Sequence, residues 1–153
     1  MDTKFHRIKY EMNRLQYKFS TSVRVRFAET DAQQVVYNSN YLVYFEVGRV
    51  NYFRNMGIKF SWSGDNQYDI TLAGASCQFK SPARFDDEIE IFVRVPEIRH
   101  TSFIFEYLLI NKATDAMVAC GHTVMVLLDA ATHKPVQIPE ELRKKLESFE
   151  KGS

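Results

Sequence analysis

At 153 residues, with 45% hydrophobic and 25% charged side chains, the chain has the size of one domain and enough apolar content to build a core without metal or disulfide staples. Twenty Lys and Arg against nineteen Asp and Glu leave a formal charge of +1, which gives no support to nucleic acid as a partner. No apolar run is long enough to span a bilayer, and residues 1–19 contain no unbroken apolar stretch, so neither a membrane span nor a secretory leader is expected. The two cysteines, Cys77 and Cys120, are too few for a disulfide scaffold and are expected to be reduced, buried thiols of a cytoplasmic protein.

Residues 1–18 mix charges and aromatics without a clean period; they read as an N-terminal extension, either a short helix on the body or a fraying end. The domain proper covers 19–153. Phe19, Thr21, Val23, Val25 and Phe27 alternate with Ser20, Ser22, Arg24 and Arg26, the period of a strand with one buried face. Glu29 to Gln34 break that alternation and form a loop. Asn38, Ser39 and Asn40 are all good N-caps, and Tyr41–Met56 reads as one long helix. Tyr41, Tyr44, Phe45, Gly48 and Tyr52 form a single stripe on it, and Leu42, Val43, Val47, Val50 and Phe53 widen the stripe, so this helix is expected to be buried on several sides. Gly48 in its middle costs about 1 kcal/mol relative to Ala, which is understandable where a backbone or a ligand approaches closely. Gly57 is positioned to end the helix.

Phe60–Gln67 is a polar loop or short turn. Four strand-like runs follow, Asp69–Ser81, Glu88–Ile98, Ser102–Asn111 and Ala116–Asp129, separated by turn residues. Pro139 then opens a short helix carrying Leu142, Leu146 and Phe149. One long helix among five strands fits an α+β layer architecture, a single antiparallel sheet curled around a central helix.

At this point the residues carry a family likeness. Arg26-Phe27-Ala28-Glu29-Thr30-Asp31, then Val35-Val36-Tyr37-Asn38-Ser39-Asn40-Tyr41, then Tyr44-Phe45-Glu46 and Arg49 resemble the hotdog-fold thioesterases, in the branch of the 4-hydroxybenzoyl-CoA thioesterases and the bacterial acyl-CoA thioesterases. The likeness continues through Phe79 to Phe85, Glu88 to Ile91, Arg99, Ser102, Phe105, Tyr107, Val126 to Asp129, Pro135 and Ile138-Pro139, and covers about residues 19–140. It implies a hotdog fold, a homodimer or homotetramer, and hydrolysis of an acyl-CoA thioester to a free acid and CoA with no metal and no redox cofactor. It further implies a site at the dimer interface. Two departures stand out: Gln34 replaces the Gly usual three residues after the Asp, and Asn38 replaces the His of one branch. Asp86 also stands where a turn Gly is usual.

Asp31 is the leading catalytic candidate. A carboxylate can attack a thioester carbonyl directly, giving a mixed anhydride that water then hydrolyses, or it can act as general base on a water; the sequence leaves both open. The plain alternative is that Asp31 ends a strand in an Asx-turn. Backbone N–H groups around Asn38 to Tyr41 lack intrahelical partners and suit a developing oxyanion, and the resemblance implies that the N–H of Tyr37 or Asn38 is a donor. Glu46, three residues before Arg49, is a rival nucleophile or a structural ion-pair partner. On the substrate side stand Lys80, Arg84 and Arg99, suited to CoA phosphates, together with Asn40, Tyr41, Tyr44 and Ser102; solvated charge and core packing are the plain readings of these. The rival functions are a non-catalytic acyl-CoA-binding module of the same fold, a thioesterase acting on acyl-carrier protein, and a hotdog dehydratase, which would need a His where Asn38 stands.

Overall fold

A computed structural model describes residues 14–59 and 67–152. The alternation from Phe19 forms β1 (Phe19–Arg24), and the long apolar stretch after the loop forms α1 (Asn40–Asn55). The remaining elements are β2 (Tyr68–Phe79), β3 (Glu88–Ile98), β4 (Ser102–Asn111), β5 (Met117–Asp129) and α2 (Glu140–Lys151). The five strands make one antiparallel sheet in the order β1-β3-β4-β5-β2. The hotdog architecture expected from the sequence is therefore the one observed. Apart from Gln67, the expected 60–67 loop lies outside the described residues, as does most of the N-terminal extension. Its described end, a 3-10 turn at Arg14–Gln16, is tied down by Arg14 on Asp115 at 2.6 Å and by Tyr17 edge-on to Phe92.

The stripe read from the sequence is the buried face of α1: Tyr41, Tyr44, Phe45, Gly48, Tyr52 and Phe53 all lie in the core. A helix can lie this close to a sheet only where a side chain is missing. A Cβ on Gly48 would stand 2.8 Å from Ile91 Cγ2 and 2.9 Å from Val93 Cγ2. Further along, the Phe45 ring stacks on Tyr107 with centroids 4.2 Å apart, directly over Gly121 of β5.

Two expectations need correction. Phe27 was expected on the buried face of β1, but it is 76% exposed and packs edge-on against Phe85. The strand stops at Arg24 because the Arg26 N–H donates to the Glu29 carboxylate at 2.8 Å and turns Phe27–Glu29 into a 3-10 helix. The second face of α1 is also not covered within the chain, since Leu42 and Val43 remain 41% and 43% exposed.

A bulge in β3 between Arg94 and Glu97, at Pro96, interrupts its ladder with β4, and the Val95 N–H donates instead to Glu150 of α2 at 2.8 Å. The same Glu150 oxygen accepts the Tyr52 hydroxyl from α1, so one carboxylate ties α2 to both layers. Burial raises the Glu150 carboxyl above its ordinary value of 4.5, against the lowering effects of Tyr52, Val95, Arg94 and Lys18. A carboxyl with a raised pKa in the folded chain holds its proton more tightly folded than unfolded. Its contribution is therefore fully present below the unfolded value and is lost as pH rises through the raised one. Glu150→Gln keeps an oxygen for both donors and removes the titration. The denaturant midpoint of the wild type minus that of the variant is expected to fall from pH 4 upward and then level off; a pH-independent difference would refute this.

Candidate active site

The loop after β1 is closed on itself. Thr30 bridges Val36, the Asp31 N–H donates to the Val35 carbonyl at 2.9 Å, and the Gln34 N–H donates to the Asp31 carbonyl at 2.9 Å. So tight a loop forces Gln34 to φ 64°, and Asp86 sits at φ 68°. The left-handed conformation that a Gly would adopt is thus kept at both positions with other side chains. The strain of a non-Gly residue there is about 1–2 kcal/mol.

Asp31 is half-buried. Its Oδ1 accepts the Gln33 N–H at 2.8 Å, an Asx-turn. Its Oδ2 has no partner among the described residues. The structural and chemical readings of Asp31 are therefore compatible, one oxygen each. The bridge that closes the loop also brings Asp31 to the start of α1. There the Tyr37 N–H is taken by the Glu29 carbonyl at 2.9 Å, with the Tyr37 side chain 54% exposed. The N–H groups of Asn38 and Ser39 have no acceptor among the described residues, and Ser39, the N-cap, makes no side-chain cap bond. Asn40 turns its side chain away, donating Nδ2 to the Glu29 carbonyl at 2.9 Å. The helix start thus offers donors unsatisfied among the described residues, a few residues along the same bridged loop from the free carboxylate oxygen.

Tyr41 and Tyr44 are buried beneath this point, their rings 6.0 Å apart. Burial pushes both phenols up, and at Tyr44 the neighbouring Glu29 charge adds to it. The Tyr44 hydroxyl is spent on Glu29 at 3.1 Å. Lys80 and Arg84 are exposed at the same end of the molecule, with Arg84 Nη1 reaching toward the Gln34 carbonyl at 3.5 Å.

Other candidates lie apart. Glu46 is on α1, about 12 Å along the axis from Asn38 at 1.5 Å per residue. Its carboxylate is 63% exposed and 3.9 Å from Arg49, at the rim of a cavity of about 400 Å³ lined by Phe53, Leu72 and Met125. Arg99 and Ser102 flank the β3–β4 turn, at the opposite end of the sheet from the Asp31 loop; eleven residues of β3 separate the two ends. Within one chain, Asp31 therefore lies at the same end of the sheet as Asn38, Lys80 and Arg84, and away from Arg99 and Ser102. Burial pushes the Cys77 thiol up to about 12, so it is no nucleophile at neutral pH. Among the described residues no group of His, Cys, Asp and Glu is arranged to hold a metal ion, and no helix is long and apolar enough to cross a membrane.

Sequence reasoning missed Glu29, which lies at the centre of this arrangement with 6% exposure. The available signal was its spacing: a Glu three residues after Arg26 can reach back to that residue's N–H.

Residues 25–146, most of the chain and all of the site, match the family described as the Thioesterase-like superfamily. The chain belongs to that superfamily. Among its relatives is a putative esterase of Aquifex aeolicus, 34% identical over 119 residues, a match covering 78% of this chain and 90% of that one. An acyl-CoA thioesterase, YbgC, of Haemophilus influenzae is 30% identical over 132 residues, covering 82% and 91%. Among solved structures, a gentisyl-coenzyme A thioesterase superposes with a TM-score of 0.75 at 26% identity, covering 84% of this chain and 99% of that one. The expected thioester-hydrolase class stands with this superfamily membership.

Proposed function

We propose that the chain hydrolyses acyl-CoA thioesters, with Asp31 as the reacting carboxylate. One observation carries the reading: Asp31, whose Oδ2 has no partner among the described residues, sits in the short bridged loop that leads into a helix start whose Asn38 and Ser39 N–H groups have no acceptor among them. In one route Oδ2 attacks the thioester carbonyl, the carbonyl electrons move to oxygen, and collapse expels CoA thiolate to leave a mixed anhydride; water then cleaves the anhydride, returning Asp31 and the free acid. In the other, Oδ2 takes a proton from a water that attacks the same carbon. Both routes develop negative charge on the carbonyl oxygen, which the Asn38 N–H and its neighbour would receive. A single such donor is worth about 2.7–4 kcal/mol of barrier, against about 0.3–1 kcal/mol for the helix dipole acting on a charge, so oriented hydrogen bonds dominate. Since the Tyr37 N–H is occupied, the donor role falls to Asn38. Lys80 and Arg84, on the same loop edge, suit the CoA phosphates.

CoA as the leaving thiol is supported by the acyl-CoA and gentisyl-CoA names of the relatives. A homodimer is supported by the outer edge of β2, which pairs with no strand among the described residues, by the exposed Leu72 and Phe79 on that strand, and by the exposed Leu42 and Val43 on α1. The test is thiol release from short, medium, long and aromatic acyl-CoAs, with the oligomeric state measured by light scattering. Turnover by a dimer or larger species is expected; binding without turnover would leave a binding module, and a monomer would remove the interface.

A further inference from the structure

Resting on the reading just given, we propose that Glu29 is a positioning residue for it, fixing the Asp31 loop and the donors at the start of α1 in one rigid relation. Glu29 is buried, and its side chain and main chain both reach outward from a single point. Oε1 accepts the Arg26 N–H at 2.8 Å and the Tyr44 hydroxyl at 3.1 Å, and Oε2 lies 3.3 Å from Arg26 Nη2. The carbonyl of the same residue accepts the Tyr37 N–H and the Asn40 Nδ2, each at 2.9 Å. Glu29 thus holds α1 through Tyr44, Asn40 and Tyr37, while its own chain continues through the extended Thr30 to Asp31.

The carboxylate is required by type as well as by place. It is acceptor-only, and every group that faces it is a donor: the Arg26 N–H, the Arg26 guanidinium and the Tyr44 hydroxyl. Gln would keep Oε1 for two of them but would turn an NH₂ toward the guanidinium. Asp is one methylene short of bridging the turn and Tyr44. A buried carboxylate is expensive to desolvate, and apolar packing would close the core more simply. What the polar contact adds is a fixed distance between Oδ2 of Asp31 and the N–H of Asn38, the two groups that must act on one carbonyl. A misplacement of about 1 Å in such a pair is worth about 100-fold in rate.

The experiment compares wild type, Glu29→Gln, Tyr44→Phe and the double variant, each checked for folding by thermal melting. Expected are kcat losses of about 10- to 100-fold in both single variants, KM within about threefold of wild type, and a double variant no worse than the poorer single one, because both break one unit. Full kcat in both singles, losses confined to KM, or additive losses would overturn the proposal. Should Glu29→Gln not fold, Tyr44→Phe, which removes a single hydroxyl, decides it. A second readout needs no turnover. The backbone amide signals of Asp31, Gln33, Asn38 and Ser39 in ¹H–¹⁵N spectra are expected to move in Tyr44→Phe while those of β4 distant from Tyr44 stay. Unmoved loop amides overturn the positioning role, whereas a wild type inactive on every acyl-CoA overturns the thioesterase reading and leaves this readout standing.

Discussion

Asp31→Asn is expected to lose turnover of every acyl-CoA the wild type accepts, by about 10²–10⁴-fold or more in kcat, which corresponds to about 2.7–5.4 kcal/mol of barrier. The substitution separates the two jobs of this side chain. Asn keeps a carbonyl oxygen where Oδ1 accepts the Gln33 N–H, so the Asx-turn and the bridge between Thr30 and Val36 are retained. It replaces Oδ2, which has no partner among the described residues, with an amide that can neither attack nor take a proton. The melting temperature should therefore stay near that of wild type and KM should change little, since the substrate contacts attributed to Lys80 and Arg84 are untouched. Asp31→Ala would lose the turn as well and would confuse the two effects. Retained turnover in a folded Asp31→Asn protein would move the chemistry to Glu46 on α1 or elsewhere.

The largest effect on stability is expected at Gly121. A Cβ there would collide with the Ser76 carbonyl oxygen of β2 and stand 2.9 Å from the Phe45 ring. The first contact is with backbone, so relief requires β2 to part from β5 along their ladder. The second cannot give either, because Phe45 is fully buried and stacked on the equally buried Tyr107. Gly121→Ala is expected to cost about 3 kcal/mol or more, read from the denaturant midpoint. Gly48→Ala is the informative contrast. Its new methyl would meet side chains rather than backbone, the Cγ2 methyls of Ile91 and Val93 at 2.8 and 2.9 Å with Tyr107 Cδ1 at 3.7 Å, and Ala regains about 1 kcal/mol of helix propensity. If Gly121→Ala lost no more stability than Gly48→Ala, the edge strand would have to yield far more readily than its pairing implies.

The parts of the molecule governed by period were readable in advance. The stripe on α1 and the alternation in β3, where Ile89, Ile91, Val93 and Val95 are buried, report one buried face each, whereas in β4 the buried Phe103, Phe105, Tyr107 and Leu109 are joined by Leu108 and Ile110 from the other face. Phe27 shows where period misleads. The alternation runs on past Arg24, but the Glu29 carboxylate captures the Arg26 N–H and turns the chain, a contact that no count of apolar positions contains. Glu29 itself reads as a solvated loop charge, since its burial depends on Tyr44, fifteen residues away in the chain. Leu42 and Val43 read as core because they are apolar, yet they are exposed within one chain. Gln34 shows the opposite case, a residue type that disfavours the left-handed region yet is held there by the closure of the loop around it. Motif resemblance pointed to Asp31. The separation of Arg99 and Ser102 from it follows from the length and direction of β3, which the sequence gives only once pairing is known.

The strand order also has a consequence in time. β3, β4 and β5 form a meander of neighbours joined by short turns, whereas β1 and β2 come first in the chain and lie on opposite outer edges. Pairing Arg24 with Glu88, or Tyr68 with Asp129, closes more than sixty residues of chain, a search that costs entropy before any contact repays it. The meander is therefore the natural nucleus, and β1 docks late, bringing with it the loop that carries Asp31. The Asp31 loop is expected to be the last part of the sheet's end to acquire native protection in pulsed hydrogen exchange.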